Sequence, residues 1–175
     1  MRNPKKIYSK IYQKNINQIF RFIFLKVNSQ EIAEDLCSET FLRGWQVFKK
    51  NYKEIENPRA FLYQIARNLI IDHYREKNKA QLVSVDSFPL NDARTSLEED
   101  FVLSFELERV KNALNNIPDN YQEVIILHYI DDLKISEIAE ITQKSEGAVR
   151  VMLHRALKAL KEELEKEKKE GFKES

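Results

Sequence analysis

Residues 133–160 read LKISEIAEITQKSEGAVRVMLHRALKAL, and their spacing decides the fold. The pattern predicts a short helix over 135–141, a turn through Gln143 and Lys144, and a longer helix capped by Ser145 and running to about Glu163. Ala139 is small enough for two helices to cross closely, and Val149 and Leu153 point back into a small core. A short helix, a tight turn and a longer capped helix make a helix-turn-helix pattern. With Val149 and Leu153 inward, the start of the last helix exposes Glu146, Gly147, Arg150, Val151, His154, Arg155 and Lys158. A guanidinium at Arg150 or Arg155 suits the O6/N7 pair of guanine, and Lys158 is placed for a phosphate. The bland alternative is a helical hairpin with solvated cations.

Upstream, Leu107, Val110, Leu114 and Ile117 are periodic, and Pro118 ends the run. Asp119 is the expected cap of the next helix, with Gln122 as its capping-box partner, followed by Val124, Ile125 and His128. His128 is read as a packing or capping residue. Residues 80–104 hold scattered apolars, a proline and excess acid, so a linker is expected there. The tail, 164–175, has alternating charge and is expected to fray.

The first half carries three helical patterns. Tyr8, Tyr12, Ile16, Ile19, Ile23 and Val27 form one apolar face, and Asn28-Ser29 ends it. Ile32, Leu36, Thr40, Phe41, Gly44 and Phe48 form a second, with Cys37 beside it as a small core residue. KKNYKEIENP (49–58) reads as a loop. Asn57 then caps a helix with Pro58 at its first position. Phe61, Leu62, Ile65, Ala66 and Leu69 are its buried side. Arg59, Tyr63, Arg67, Asn68, Ile71 and Arg75 form a second stripe of cations, an aromatic and an amide.

Composition agrees with an all-α chain of two small helical domains joined by an acidic linker. Three glycines and four prolines in 175 residues are too few for a β-rich chain. No apolar run approaches the ~20 residues of a membrane span, and no apolar segment follows the basic N-terminus as in a signal peptide. A single cysteine suits a reducing compartment, and a cytoplasmic protein is expected. The three histidines and Cys37 match no metal-ligand spacing, and no nucleophile or glycine loop accompanies the acids, so no metal, cofactor or catalytic residue is expected. The overall charge of +1 conceals segregation: +8 over 1–79, −6 over 80–108 and −1 over 109–175. The first part therefore suits a polyanionic partner.

These segments, in this order, resemble one family. LKISEIAEITQKSEGAVRVMLHRALKAL is similar to region 4 of bacterial sigma-70 factors of the extracytoplasmic-function (ECF) group, and LNNIPDNYQEVIILHYIDDL resembles its lead-in. AEDLCSETFLRGW (33–45) resembles region 2.2, and NPRAFLYQIARNLIIDHYRE (57–76) resembles regions 2.3 and 2.4. The likeness spans residues 7–163. It implies a sigma factor that binds core RNA polymerase and directs promoter-specific initiation through the −10 and −35 elements, with promoter opening. On that pattern 1–79 is region 2, 80–104 the linker and 105–163 region 4. The edge of Asp35, Ser38, Glu39, Leu42, Arg43 and Gln46 docks on the β′ clamp helices, although residues so spaced are often a solvated face with an ion pair. Tyr52, Tyr63, Arg67, Asn68 and Arg75 fall at the −10 element, Asn68 in contact with the exposed non-template strand, the arginines on phosphates. Arg67 and Arg75 could equally pair with Asp72 and Glu76. Ser145, Glu146, Gly147, Arg150, Val151, His154, Arg155 and Lys158 fall at the −35 element. The implied partners are core polymerase (β′ clamp helices and β flap), promoter DNA and an anti-sigma factor, with no small-molecule substrate and no membrane insertion. The chain departs from the pattern at Phe61, where a tryptophan is common, and at Lys134, Gln143, Lys144, Val151 and Met152.

Overall fold

The computed structural model describes residues 3–83 and 105–173, with side chains over 3–80 and 108–173. Among these residues every regular element is helical. The chain divides into two compact units, Met1–Thr95 and Ser96–Ser175. The expected linker lies outside the described residues except for its first four positions, which continue a helix to Val83.

The first unit is a three-helix bundle of α1 (Pro4–Val27), α2 (Gln30–Asn51) and α3 (Pro58–Val83). Short polar side chains set its boundaries. Asn3 accepts the Lys5 N–H at 3.0 Å, and Asn28 closes α1 in the left-handed region at φ 54°. Ser29 accepts the Ile32 N–H at 3.4 Å, and Asn57 accepts the Ala60 N–H at 3.0 Å. Each cap satisfies a donor that the helix cannot reach internally. Ile19, Phe22 and Ile23 of α1, Ala33 and Phe48 of α2, and Leu62, Tyr63 and Ala66 of α3 fill the core. The crossing near Gly44 is tight. A Cβ there would stand 2.5 Å from the Tyr8 hydroxyl, which donates to Phe41 O at 2.6 Å. Tyr74 ties α3 to the end of α1 by donating to Lys26 O. The expected loop at 49–58 begins later: residues 49–51 belong to α2, where Lys49 and Lys50 complement the helix C-terminus.

The second unit comprises α4 (Phe105–Asn116), α5 (Asp119–Ile125), a π-helical turn (Ile126–Ile130), α6 (Ile135–Thr142) and α7 (Glu146–Lys173). Ala113, Leu114, Ile126, Leu127, Leu133, Ile138 and Val149 build its core. Val110, expected inside, is 36% exposed. The expected cap at Asp119 is displaced by one residue. Pro118 takes the cap position, and Gln122 instead donates to Asn115 Oδ1 at 3.2 Å. From within the π turn, His128 Nδ1 lies 2.9 Å from Leu133 O, holding the bend into α6. Lys134 caps α6 without a side-chain acceptor, and Glu137 compensates by accepting the Lys134 N–H at 3.3 Å. Gln143 supplies the turn in the left-handed region at φ 56°. Ser145 caps α7 by accepting the Ala148 N–H at 3.1 Å.

The tail differs most from expectation. It is helical to Lys173 rather than frayed after Glu163. Arg109 of α4 donates to Leu164 O at 3.4 Å and stands 3.7 Å from Glu167, while Lys166 pairs with Glu163 at 3.0 Å. A tertiary clasp and local ion pairs together extend a segment that composition alone marks as loose.

Candidate nucleic-acid interface

Three helix faces carry the candidate residues, and each is set by what its opposite side buries. On α2, Cys37, Thr40, Phe41, Gly44 and Phe48 face the core. Asp35, Ser38, Leu42, Arg43 and Gln46 are therefore exposed and Glu39 half-buried along one outer edge. Arg43 Nε donates to Glu39 Oε1 at 2.6 Å. Arg43 is more than half exposed and Glu39 is open to solvent on one side, so the pair contributes little to stability. Leu42 lies in this polar edge at 52% exposure. Cys37 is a buried core thiol, and burial pushes its pKa up to about 11, which makes it a poor nucleophile.

On α3 the outer face holds Asn68, Ile71, Asp72 and Arg75, all exposed, with Arg67 half-buried at its margin. Arg75 stands 3.9 Å from Asp72, and both side chains are more than half exposed. That pair is too weak to withhold Arg75 from a phosphate. Burial and the neighbouring Lys77 lower the His73 pKa, so His73 adds no charge here at neutral pH. Tyr52, half-buried just after α2, rests against Phe48 with ring centroids 6.0 Å apart. It is an aromatic braced by the core and partly open to solvent.

Tyr63 is the correction. It is fully buried and meets Phe22 edge-on at 5.4 Å, so it is a core residue and offers no surface to a nucleic acid strand. Because α3 packs against both α1 and α2, its buried arc is wider than a single apolar stripe and takes in Tyr63 and Ile70.

On α7, Val149, Leu153 and Ala156 are buried. Ser145, Glu146, Gly147, Arg150, Val151, His154, Arg155 and Lys158 are all exposed, Val151 at 50%. Ser145 also serves as the cap, and Arg150 reaches Glu146 at 3.3 Å across solvent. The face thus offers two guanidiniums, an imidazole, an apolar side chain and an ammonium over about three turns. The π turn adds a residue the periodicity did not reveal: Tyr129 stands 52% exposed with His128 against its ring at 4.9 Å. A π turn advances the chain out of the 3.6-residue register, so spacing alone could not find it.

Among the described residues, no group of three or more His, Cys, Asp or Glu is placed to hold a metal ion, and no helix is long and apolar enough to cross a membrane.

Comparison with known proteins bears on both units. Residues 11–80 match the model of sigma-70 region 2, and residues 107–160 that of sigma-70 region 4. The ECF RNA polymerase sigma factor SigM of Bacillus subtilis is 31% identical over 157 residues, covering 86% of this chain and 91% of that protein. The ECF RNA polymerase sigma factor BldN of Streptomyces coelicolor is 27% identical over 154 residues, covering 87% of this chain but 58% of that protein. In structure, the sigma factor RpoE solved with the anti-sigma factor NepR from Bartonella quintana aligns with a TM-score of 0.78 at 22% identity, covering 91% of this chain and 98% of that one. At that identity the likeness speaks to the fold.

Proposed function

The chain belongs to the sigma-70 family of RNA polymerase sigma factors, in its extracytoplasmic-function group, and we propose how its exposed faces divide the work of promoter-specific initiation. Sigma factors are non-catalytic initiation factors, and we assign this chain no reaction of its own, in the cytoplasm where its polymerase works. The α2 edge from Asp35 to Gln46 docks on the β′ clamp helices of core polymerase, with Leu42 as the apolar contact inside a polar rim. The α3 face meets the opened −10 strand: Asn68 hydrogen-bonds a base, Arg67 and Arg75 hold phosphates, and Tyr52 stacks on an extruded base. Unstacking costs on the order of a few kcal/mol, offset by contacts that exist only to the open strand. The α7 face reads the −35 element in the major groove. Arg150 and Arg155 suit guanine edges, His154 lies between them, Val151 suits a thymine methyl and Lys158 a phosphate. Residues 80–104 join the two parts along the polymerase, which also holds region 4 through its β flap. An anti-sigma factor is the corresponding restraint, as one is for the RpoE whose structure resembles this chain.

The observation that carries this reading is the pairing of regions 2 and 4 with candidate side chains that, Tyr63 apart, reach solvent on faces backed by packed cores. Two weak DNA contacts on one tether gain affinity once polymerase sets their separation, so the free chain binds duplex promoter poorly. The test is capture of the full chain by bacterial core polymerase, wild type against Asp35→Lys/Glu39→Lys. Retention of the wild type and loss of the variant are expected. Failure of the wild type to bind, while a housekeeping sigma factor binds in the same assay, would overturn the proposal.

A further inference from the structure

We infer that the outer face of α1 is a second nucleic-acid surface, one that grips the sugar-phosphate backbone of promoter duplex without reading bases. The inference rests on the proposed promoter reading. Across its 24 residues, α1 carries six cations and no acid. Ile19, Phe22 and Ile23 on its inner side are completely buried. Lys6, Lys10 and Lys14 follow one another at intervals of four on the opposite side, all exposed, with Gln13, Asn17 and Arg21 continuing the stripe. Four residues advance a helix by about 6 Å, so the three lysines cover roughly 12 Å of one line. No carboxylate among the described residues pairs with the Lys6, Lys10 or Lys14 ammonium groups.

The far end of α7 shows a mixed charged segment in this same chain. Residues 161–173 hold five lysines interleaved with five glutamates, one pair of them closed at 3.0 Å. On α1 the exposed neighbours of the lysines are Ser9, Tyr12, Gln13 and Asn17, polar groups that hydrogen-bond phosphate and sugar without cancelling charge. A membrane surface is a poorer fit, because Ile19, Phe22 and Ile23 are committed to the bundle and cannot insert. DNA is the fitting polyanion because α1 packs directly on α3, the helix assigned to the −10 element. The stripe faces away from that contact, and Lys6 to Lys14 stand level with Tyr8, beside Leu62 near the start of α3 and Phe48, on which Tyr52 rests. Duplex reaches them by running along the outside of the bundle from the strand held at α3 and Tyr52.

The experiment uses holoenzyme reconstituted from core polymerase and the full chain. The probe is a duplex promoter fragment selected by the wild-type holoenzyme from a randomised pool, with affinity followed across salt concentrations. Lys6→Gln/Lys10→Gln/Lys14→Gln is compared with Asn68→Ala. Each lysine that touches phosphate contributes about 0.9 to the slope of log affinity against log salt, so the triple variant should flatten it by about 2 to 3. Core binding and promoter preference should stay unchanged. An unchanged slope overturns the inference. So does a triple variant that fails at core binding, which would assign the stripe to an acidic protein face. Loss of binding to phosphatidylserine vesicles with an unchanged promoter slope overturns it in favour of a membrane. Asn68→Ala reports separately on the −10 reading: a normal response there with a flattened triple-variant slope sinks that reading and leaves the backbone grip standing. A wild type that selects no fragment overturns both.

Discussion

Gly44 offers the sharpest test of how the first unit is packed. Replacing it with alanine should help α2 by about 1 kcal/mol, the ordinary gain over glycine in a helix interior. The structure opposes that gain. The new Cβ would stand 2.5 Å from the Tyr8 hydroxyl and 2.9 Å from Leu62 Cδ2, both inside normal contact. The leucine methyl can turn aside, but the tyrosine is fixed. Its hydroxyl donates to Phe41 O, and its ring lies against Trp45 at 5.4 Å and Phe48 at 5.2 Å. Moving it surrenders a hydrogen bond worth about 1 kcal/mol and disturbs ring contacts worth about 0.5–1.5 kcal/mol each. Overpacking of this kind costs about 1–3 kcal/mol in its own right. The balance is a net loss of about 2 kcal/mol, or roughly 10 °C in melting temperature for a domain of this size.

Trp45 makes the measurement clean. It is the only tryptophan and lies in the first unit, so its fluorescence follows that unit even if the second unfolds separately. Tyr8→Phe removes the closest atom and leaves the ring carbon behind it at 3.6 Å, an ordinary contact. The double variant Tyr8→Phe/Gly44→Ala should therefore be more stable than the two single losses predict, by about 1–2 kcal/mol of coupling. A Gly44→Ala protein that melts at or above the wild type would refute the packing argument, as would a cycle with no coupling.

The turn at Gln143 and the buried Cys37 and Tyr8 carry the remaining predictions. Gln143→Gly should stabilise the second unit by about 0.5–1 kcal/mol, because a left-handed backbone costs an L-residue about 1–2 kcal/mol and glycine only its extra chain entropy; a lower helix-unfolding midpoint by circular dichroism would contradict it. Burial lifts the Cys37 pKa to about 11 and that of Tyr8 to about 12, from ordinary values of 9.0 and 10.0. The folded state therefore holds these protons more tightly than the unfolded chain. The stability they contribute is complete below about pH 9 and is lost as pH rises through 11 to 12. The urea midpoint read by Trp45 should fall between pH 8 and pH 11, and iodoacetamide should label Cys37 at pH 8 only after unfolding. An unchanged midpoint would remove the basis for both statements.

Much of the architecture could be read from residues whose physics is local. Asn28-Ser29, Asn57-Pro58 and Ser145 mark helix boundaries because a short polar side chain, or a ring with no N–H, acts within a few residues of itself. Capping failed as a guide at Asp119, where the proline before it occupied the cap position. It failed also at the tail, where the deciding partner, Arg109, lies some 55 residues away in the chain. No window of sequence contains that contact.

Tyr63 lies in the core for a geometric reason that also explains why the candidate residues of α2 and α7 reach solvent. Spacing reveals the phase of a buried stripe but not its width, and width depends on how many helices pack around the one in question. The α7 segment from Val149 to Ala156 buries one narrow line, so Arg150, Val151, His154 and Arg155 all fall outside it. On α2 the core side from Ala33 to Phe48 leaves the edge of Asp35, Leu42 and Gln46 in solvent. On α3 the buried arc holds Ala60, Leu62, Tyr63, Ala66, Leu69 and Ile70, because α1 and α2 both lean on it. A residue next to an arginine in sequence can therefore belong wholly to the core. The charges that remain outside such an arc have no packing reason for their sign, and that is why their sign carries information. An acid-free outer face on α1 and a mixed one at the end of α7 are both carried on long helices. They differ in what they would attract.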